Sequence, residues 1–364
     1  GAESFSVVSD VGGFANVKVI TTSAAGGGQE SEDVEGIKFN APKNYDAQNR
    51  CVTTHDYVSV VKRDYSGAQS VVAWGGEDDD PPVYGKVFIA IKPASGSVLS
   101  NSTKVWVQDT VLGKRNVVGI TPEIKDPDYL YLKVNSTVKY DSGMTTNSAA
   151  TLKSTVTSSI VNYGLTALKD FDKAFRYSNL IKKIDESEIS VKSNQTSVTI
   201  KRYMYPLLGS SSAYTLKFSN EVYHPSNTFW GSVTSGDFSY RDTANTLWTG
   251  CKMQDSNGII QVYRTSGLNR ILVDNDVGTM TYGSGKLALL GFAPVAIGSA
   301  SSGNTTALSV YITPSSSDVL PLREQIILIE DADISVTMVD DAGTGTYVQG
   351  ATTSTDGTTL KTGY

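Results

Sequence analysis

The sequence predicts an α+β protein of several domains: a small α/β sandwich with two helices on a mainly antiparallel sheet, a helical segment, and a β-rich C-terminal domain. Three observations point there. The 364 residues exceed what one ordinary compact core accommodates. Gly, Ser and Thr are plentiful and Tyr outnumbers Phe by 19 to 10, a composition that favours strands and turns over an all-helical chain. The period of the apolar residues also changes along the chain, from mixed, to helical, to alternating.

Residues 1–35 read as an irregular or β leading segment, with short apolar stretches at 5–8 and 17–20 broken by Gly12-Gly13 and Gly26-Gly27-Gly28. Residues 36–141 form the sandwich. There Thr54 caps a helix whose apolar face carries Tyr57, Val58 and Val61 and which stops before Gly67. A strand at 70–74, an acidic loop and a strand at 86–91 follow, the last with Val87, Ile89 and Ile91 on one face. Ser100 caps a second helix through Val105, Val107 and Val111, and extended runs at 117–121 and 129–138 complete the set. Each helix has one apolar stripe, so both are expected on one face of the sheet.

Residues 142–187 read as a helical connector. Leu152, Val156, Ile160 and Val161 mark one helix, Phe171, Phe175, Leu180 and Ile184 a second, and Gly164 separates them. Such a pair can serve as a lever or an oligomer contact, or can pack as ordinary core. Residues 188–340 are strand and turn, punctuated by Asn257-Gly258 and Ser266-Gly267. Residues 341–364, rich in Gly and Thr, read as a flexible tail or an arm ordered by a partner.

The formal charge of −6 comes from 31 basic and 37 acidic residues, so there is no basic surplus to neutralise a phosphate backbone, and nucleic acid is not an expected partner. The pairs Lys182-Lys183 and Lys201-Arg202 read as solvated faces. Cys51 and Cys251 stand far apart, which suits free buried thiols in a reducing compartment. The chain starts Gly1-Ala2-Glu3 without Met or an apolar signal, and no run approaches the roughly 20 apolar residues that span a bilayer. The expectation is a soluble fragment of a longer product with no membrane partner.

No catalytic constellation emerges. His55 sits in the first turn of a predicted helix and His224 precedes Pro225; neither adjoins a nucleophile elbow, and two histidines without Cys-x-x-Cys pairs give no metal centre. The segment Gly283-Ser284-Gly285-Lys286 fails as a phosphate loop, because its first Gly would fall at Met280 and Leu287 stands where a hydroxyl must hold magnesium. The carboxylate groups Asp274 with Asp276, and Glu330-Asp331 with Asp333, lack a calcium-loop pattern and read as solvated turns. No catalytic residue, cofactor or metal ligand is therefore expected. More informative is the loop Glu77, Asp78, Asp79, Asp80, Pro81, Pro82, introduced by Gly75-Gly76 after Trp74. It reads either as a contact loop for a basic neighbour or as a capped hairpin.

One stretch carries a resemblance. Ala41-Pro42-Lys43-Asn44-Tyr45-Asp46-Ala47-Gln48-Asn49-Arg50, then Val52-Thr53-Thr54-His55-Asp56-Tyr57, then Trp74-Gly75-Gly76-Glu77-Asp78 and Pro81-Pro82-Val83-Tyr84-Gly85-Lys86-Val87 stand in sequence. In their order and spacing they resemble the baseplate J-like family, in the form carried by wedge proteins of T-even-type contractile-tailed phages, C-terminal part. The resemblance covers 36–141 and continues through 187–191 and 203–206; residues from 207 onward follow by continuity. The family's long N-terminal helical part, which clamps other wedge subunits, has no counterpart in this sequence. Within the stretch, Trp74, Tyr57, Asn49 and Arg50 are candidate structural anchors.

The resemblance implies a non-enzymatic structural virion protein in the tail baseplate, assembled in the host cytoplasm. Such a subunit forms a homodimer, and a ring of dimers joins wedges around the central hub and relays the trigger for sheath contraction. Its implied partners are itself, other baseplate wedge subunits, and the central hub and sheath or tube initiator proteins. An alternative from another class is a carbohydrate- or receptor-binding β-domain protein of a phage tail, suggested by Tyr-rich strands with Trp230 and Trp248. A hydrolytic enzyme is weaker, since no acid, base or nucleophile can be named.

Overall fold

A computed structural model describes residues 34–79, 81–226, 228–267, 269–298 and 307–341. The expected strands at 5–8 and 17–20, and the expected tail beyond Asp341, lie outside the described residues. Among those described, the chain is mostly β with five α-helices. It divides into two compact units, the first built from 1–130, 167–175 and 320–328, the second from 131–166, 176–319 and 329–364.

In the first unit, helix α1 (Val34–Ala47) holds Pro42, which donates no backbone hydrogen bond. Helix α2 (Thr54–Asp64) is capped by Thr53, one residue earlier than the sequence suggested. The Thr53 hydroxyl accepts from the Asp56 N–H at 3.3 Å, and the Asp56 carboxylate accepts from the Thr53 N–H at 2.8 Å, a reciprocal capping box. Lys62 and Arg63 in its last turn face the negative end of the helix dipole. Tyr57, Val60 and Val61 are its buried face, at the three- and four-residue spacing of one helical stripe.

Strand β1 (Ala68–Gly75) pairs antiparallel with β2 (Lys86–Pro93), and β2 pairs parallel with β3 (Thr121–Lys125). The expected mainly antiparallel sheet is thus half parallel. A parallel neighbour requires a crossover, supplied by α3 (Asn101–Trp106). Ser100 caps α3 as expected, its Oγ accepting from the Thr103 N–H at 3.2 Å. The helix then widens into a π-turn over Val107–Leu112 that buries Val107, Val111 and Leu112. Val105, two residues from Val107 and so on another face, is 57% exposed. The expected extended run at 117–121 is instead a turn, closed by the Ile120 N–H donating to Val117 O at 3.1 Å, and strand pairing starts at Thr121.

One face of this sheet meets α2 and the π-turn through Cys51, Tyr57, Val61, Ile89, Ile91 and Leu112. The other face packs Trp74, Phe88 and Ala90 against Phe171 and Ile326. Phe171 lies on a non-helical segment and Ile326 on a strand late in the chain, β15 (Gln325–Leu328). The expected second helix through Phe171 and Phe175 is therefore corrected: it is α5 (Tyr177–Asp185), and Phe171 fills the small sheet's far side, where its N–H donates to Ser70 Oγ at 3.3 Å.

The expected sandwich over 36–141 also differs at its far end. Strand β4 (Asp128–Tyr140) enters the second unit after Leu130, and its residues 131–140 pair antiparallel with β5 (Val191–Met204). On β4, Leu132, Val134, Ser136 and Val138 alternate inward, the two-residue period of a half-buried strand. β5 continues to β14 (Leu308–Ile312), then β7 (Trp230–Ser235), β9 (Leu247–Ser256), β10 (Ile259–Ser266), β11 (Asn269–Thr281), β12 (Lys286–Phe292) and β6 (Ser212–Lys217). β8 (Phe238–Arg241) joins β9 to β13 (Pro294–Ile297), and β16 (Ile334–Asp340) lies parallel to β4. Asn257-Gly258, both at positive φ, form the two-residue turn between β9 and β10 that the sequence signalled.

Helix α4 (Ala149–Ala167) buries Leu152, Val156, Ile160 and Tyr163. Gly164 does not end it, contrary to expectation; it lies inside the helix, where a Cβ would meet the Ile329 side chain at 3.3 Å. It is a close-approach glycine, which sequence does not distinguish from a breaker.

Candidate interaction site

The acidic segment follows β1 directly. Gly76 opens a 3-10 turn, Gly76–Asp78, whose carbonyl accepts from the Asp79 N–H at 3.2 Å and the Val83 N–H at 2.8 Å. No side chain fits at Gly76, because a Cβ would lie 1.9 Å from Val83 O. Asp79 pairs with Lys125 at 2.5 Å and Asp78 with Arg323 at 2.8 Å. The Lys125 ammonium also lies 3.6 Å from the Phe88 ring centroid and 5.7 Å from that of Trp74. Two of the acids are thus neutralised within the chain, while Glu77, Pro81 and Pro82 are exposed and Asp80 lies outside the described residues. Asp79→Asn should cost at most about 1 kcal/mol, since the pair is partly solvated. Calorimetry should show a fall in melting temperature of roughly 1–4 °C, smaller at high salt.

The other singled-out residues fall in two places. Trp74 is 4% exposed and Tyr57 1% exposed. Burial, then Cys51 and Asp56, push the Tyr57 phenol up to about 12. Cys51 and Cys251 are both buried and free of disulfides, and burial foremost pushes the Cys51 thiol up to about 11. Asn49 and Arg50 are at the surface. Asn49, at φ 60°, accepts from Arg63 at 2.8 Å and so ties the segment after α1 to α2. Arg50 donates to Gln48 at 2.7 Å. Arg63 and Arg115 converge on Asp64, and the hydrogen bond from Arg63 foremost holds that carboxyl below its usual range.

An apolar surface that the sequence reading missed lies beside the acidic turn. The Cys51 N–H donates to Arg115 O at 2.8 Å, and the Thr121 N–H donates to Gly85 O at 2.9 Å. These bonds hold the segments carrying Val52, Tyr84, Val117 and Val118 at the end of the sheet where β1 leaves and β2 and β3 begin. Tyr84 is 81% exposed and Val118 99%. The expected strand at 117–121 concealed this, since alternation would have turned one of the two valines inward.

The second unit departs further from expectation. Lys201, read as part of a solvated pair, is 1% exposed, and Asp333, read as a solvated turn carboxylate, is 5% exposed. The Lys201 ammonium donates to Asp333, to Glu330 at 2.8 Å and to Tyr203 Oη at 2.7 Å. The tryptophans that suggested a glycan platform are engaged within the chain: Arg270 lies 4.5 Å from the Trp230 ring centroid, and the Trp248 N–H donates to Asp242 at 2.9 Å. His224 stacks on Tyr282 with centroids 3.9 Å apart. Among the described residues no group of three or more His, Cys, Asp or Glu is arranged to hold a metal ion, and no helix is long and apolar enough to cross a membrane.

Residues 53–125 match the family model of baseplate structural protein gp6, C-terminal domain I, and residues 128–203 match that of its C-terminal domain III. The break between them falls beside Leu130, where the chain passes between units. The chain is also 28% identical over 215 residues to the baseplate wedge protein gp6 of Enterobacteria phage T4, a match covering 58% of this chain and 32% of that protein. It therefore spans about a third of the length of this curated relative. Two adjoining domain matches and a curated relative agree, and the chain is similar to the C-terminal part of T4-type baseplate wedge proteins.

Proposed function

We propose that the chain is a structural wedge subunit that pairs with a second copy of itself, and that a ring of such pairs joins neighbouring wedges around the central hub of a contractile tail. The adjoining matches to gp6 C-terminal domains I and III carry this reading. In it the subunit meets other wedge proteins, the hub and the sheath or tube initiators, and its role is mechanical rather than catalytic. A ring that holds and then rearranges needs interfaces with alternative packings, so that modest free-energy differences select one state and relay the trigger for sheath contraction. The end of the first sheet, with Glu77, Pro81, Pro82, Tyr84 and Val118, is the surface assigned to such contacts.

A density map of tails carrying a tagged copy tests the location: the tag should appear in a ring around the hub, and a tag elsewhere on the particle would refute it. Self-pairing is tested separately by light scattering. A closed ring of dimers requires a self-complementary surface, so the mass should rise to that of a dimer with concentration. A strictly monomeric mass at high micromolar concentration would remove the dimer from the reading.

A further inference from the structure

Lys201, Glu330 and Asp333 form a cluster that an assembly role does not use. Lys201 lies on β5 in register with Tyr131 of β4 and Tyr311 of β14. Asp333 ends the 3-10 turn Asp331–Asp333 that leads into β16, and its N–H donates to Glu330 O at 2.9 Å. Lys201 Nζ donates to Asp333 Oδ2 and, at 2.8 Å, to Glu330 Oε2, which also accepts from Tyr203 Oη at 2.9 Å. The rings of Tyr203 and Tyr131 wall the amine, with centroids 4.4 and 5.0 Å away. The group thus places an amine and a carboxyl carbon together where both are almost closed to water, beside a second carboxylate that is partly exposed.

We propose that Lys201 and Asp333 condense spontaneously into an intramolecular isopeptide bond, with Glu330 as the proton carrier. The proton on the Lys201 ammonium can pass to Asp333 along the hydrogen bond that joins them. An ammonium beside a carboxylate has the same net charge as an amine beside a carboxylic acid, and exclusion of water favours the neutral form. Burial raises the Asp333 carboxyl in that direction. Burial also works against the Lys201 ammonium, but its hydrogen bonds to Asp333 and Glu330 outweigh that and hold it above the usual lysine range. The ion pair is therefore the resting state and the neutral pair the reactive minority.

In the neutral pair the Nζ lone pair attacks Asp333 Cγ, forming the N–C bond as the carbonyl π pair moves to oxygen. The Glu330 carboxylate takes a proton from the nitrogen and delivers it to the Asp333 hydroxyl. The Cγ–O bond then breaks and water leaves. Overall one ammonium and one carboxylate become one amide and one water, nothing is oxidised or reduced, and Glu330 ends as it began. The reaction occurs once per chain, so it stands apart from the assembly role and does not depend on it.

Intact-mass measurement of the denatured full chain tests this. The parent should be lighter than its sequence by one water, and a proteolytic digest should contain a branched peptide joining Lys201 to Asp333. Lys201→Arg should restore the full mass. Glu330→Gln keeps the size of the side chain but cannot carry the proton, and it should also show full mass. A parent of full mass with Lys201 and Asp333 in separate peptides would overturn the proposal, as would a lost water that maps to a succinimide at Asp356-Gly357. A Glu330→Gln chain as light as the parent would remove the proton carrier from it.

Discussion

Trp74→Ala should destabilise the first unit by about 3–5 kcal/mol, the usual cost of truncating a buried large aromatic to Ala. The ring is 4% exposed, lies 5.9 Å from Phe88 centroid to centroid, and closes a cluster with Ala90, Phe171 and Ile326. Removing it leaves a cavity lined by three separate stretches of chain, which cannot all collapse inward together. It also strips the Lys125 ammonium of one aromatic neighbour. Calorimetry of the full chain should show the first unit melting well below the parent, with any loss of association following from that. Trp74→Phe should keep most of both. Unchanged melting with lost association would instead place the indole in an interface.

Lys201→Met should be as costly at neutral pH, about 3–5 kcal/mol, because it leaves the Asp333 carboxylate buried without its cation. The pH dependence distinguishes this from simple misfit. With the cation gone, burial raises the folded pKa of Asp333 above its unfolded value of about 4. The folded state then binds the proton more tightly than the unfolded one, so stability falls as pH rises through that window and returns as pH drops toward about 4. Urea titrations at pH 5 and pH 7 should show the variant recovering part of its deficit at the lower pH. Adding Asp333→Leu should remove the pH dependence and the part of the deficit that comes from the unpaired buried charge. A deficit that is the same at both pH values would assign the loss to packing.

The features legible in the sequence were those set by neighbours along the chain. The cap near Thr54, the alternation through Val87, Ile89 and Ile91, the Ser100 cap and the Asn257-Gly258 turn each rest on local backbone chemistry, and each lies where its spacing indicated, Thr53 by one residue excepted. The illegible ones depend on partners distant in sequence. Lys201 reads as a surface cation because its acids stand at 330 and 333, and Phe171 reads as a helical residue because its true neighbour is Trp74. Gly164 looks like a break unless Ile329 is known to lie against it. At the candidate surface the acidic loop was visible, but the lysine and arginine that neutralise Asp79 and Asp78, at 125 and 323, were not.

The chain passes from one unit to the other five times, at Leu130, Thr166, Phe175, Val319 and Leu328. No single proteolytic cut can therefore release either unit whole, and a truncation at residue 203, where the second domain match ends, would take β15 away from the cluster around Trp74. The same threading sets an order during synthesis. A ribosome adding about 5–20 residues per second needs on the order of tens of seconds between making Trp74 and making Ile326. Throughout that interval the far side of the small sheet lacks Ile326, and before Phe171 is made it lacks both of these covers, so part of its apolar surface stays open to a chaperone until the chain reaches β15.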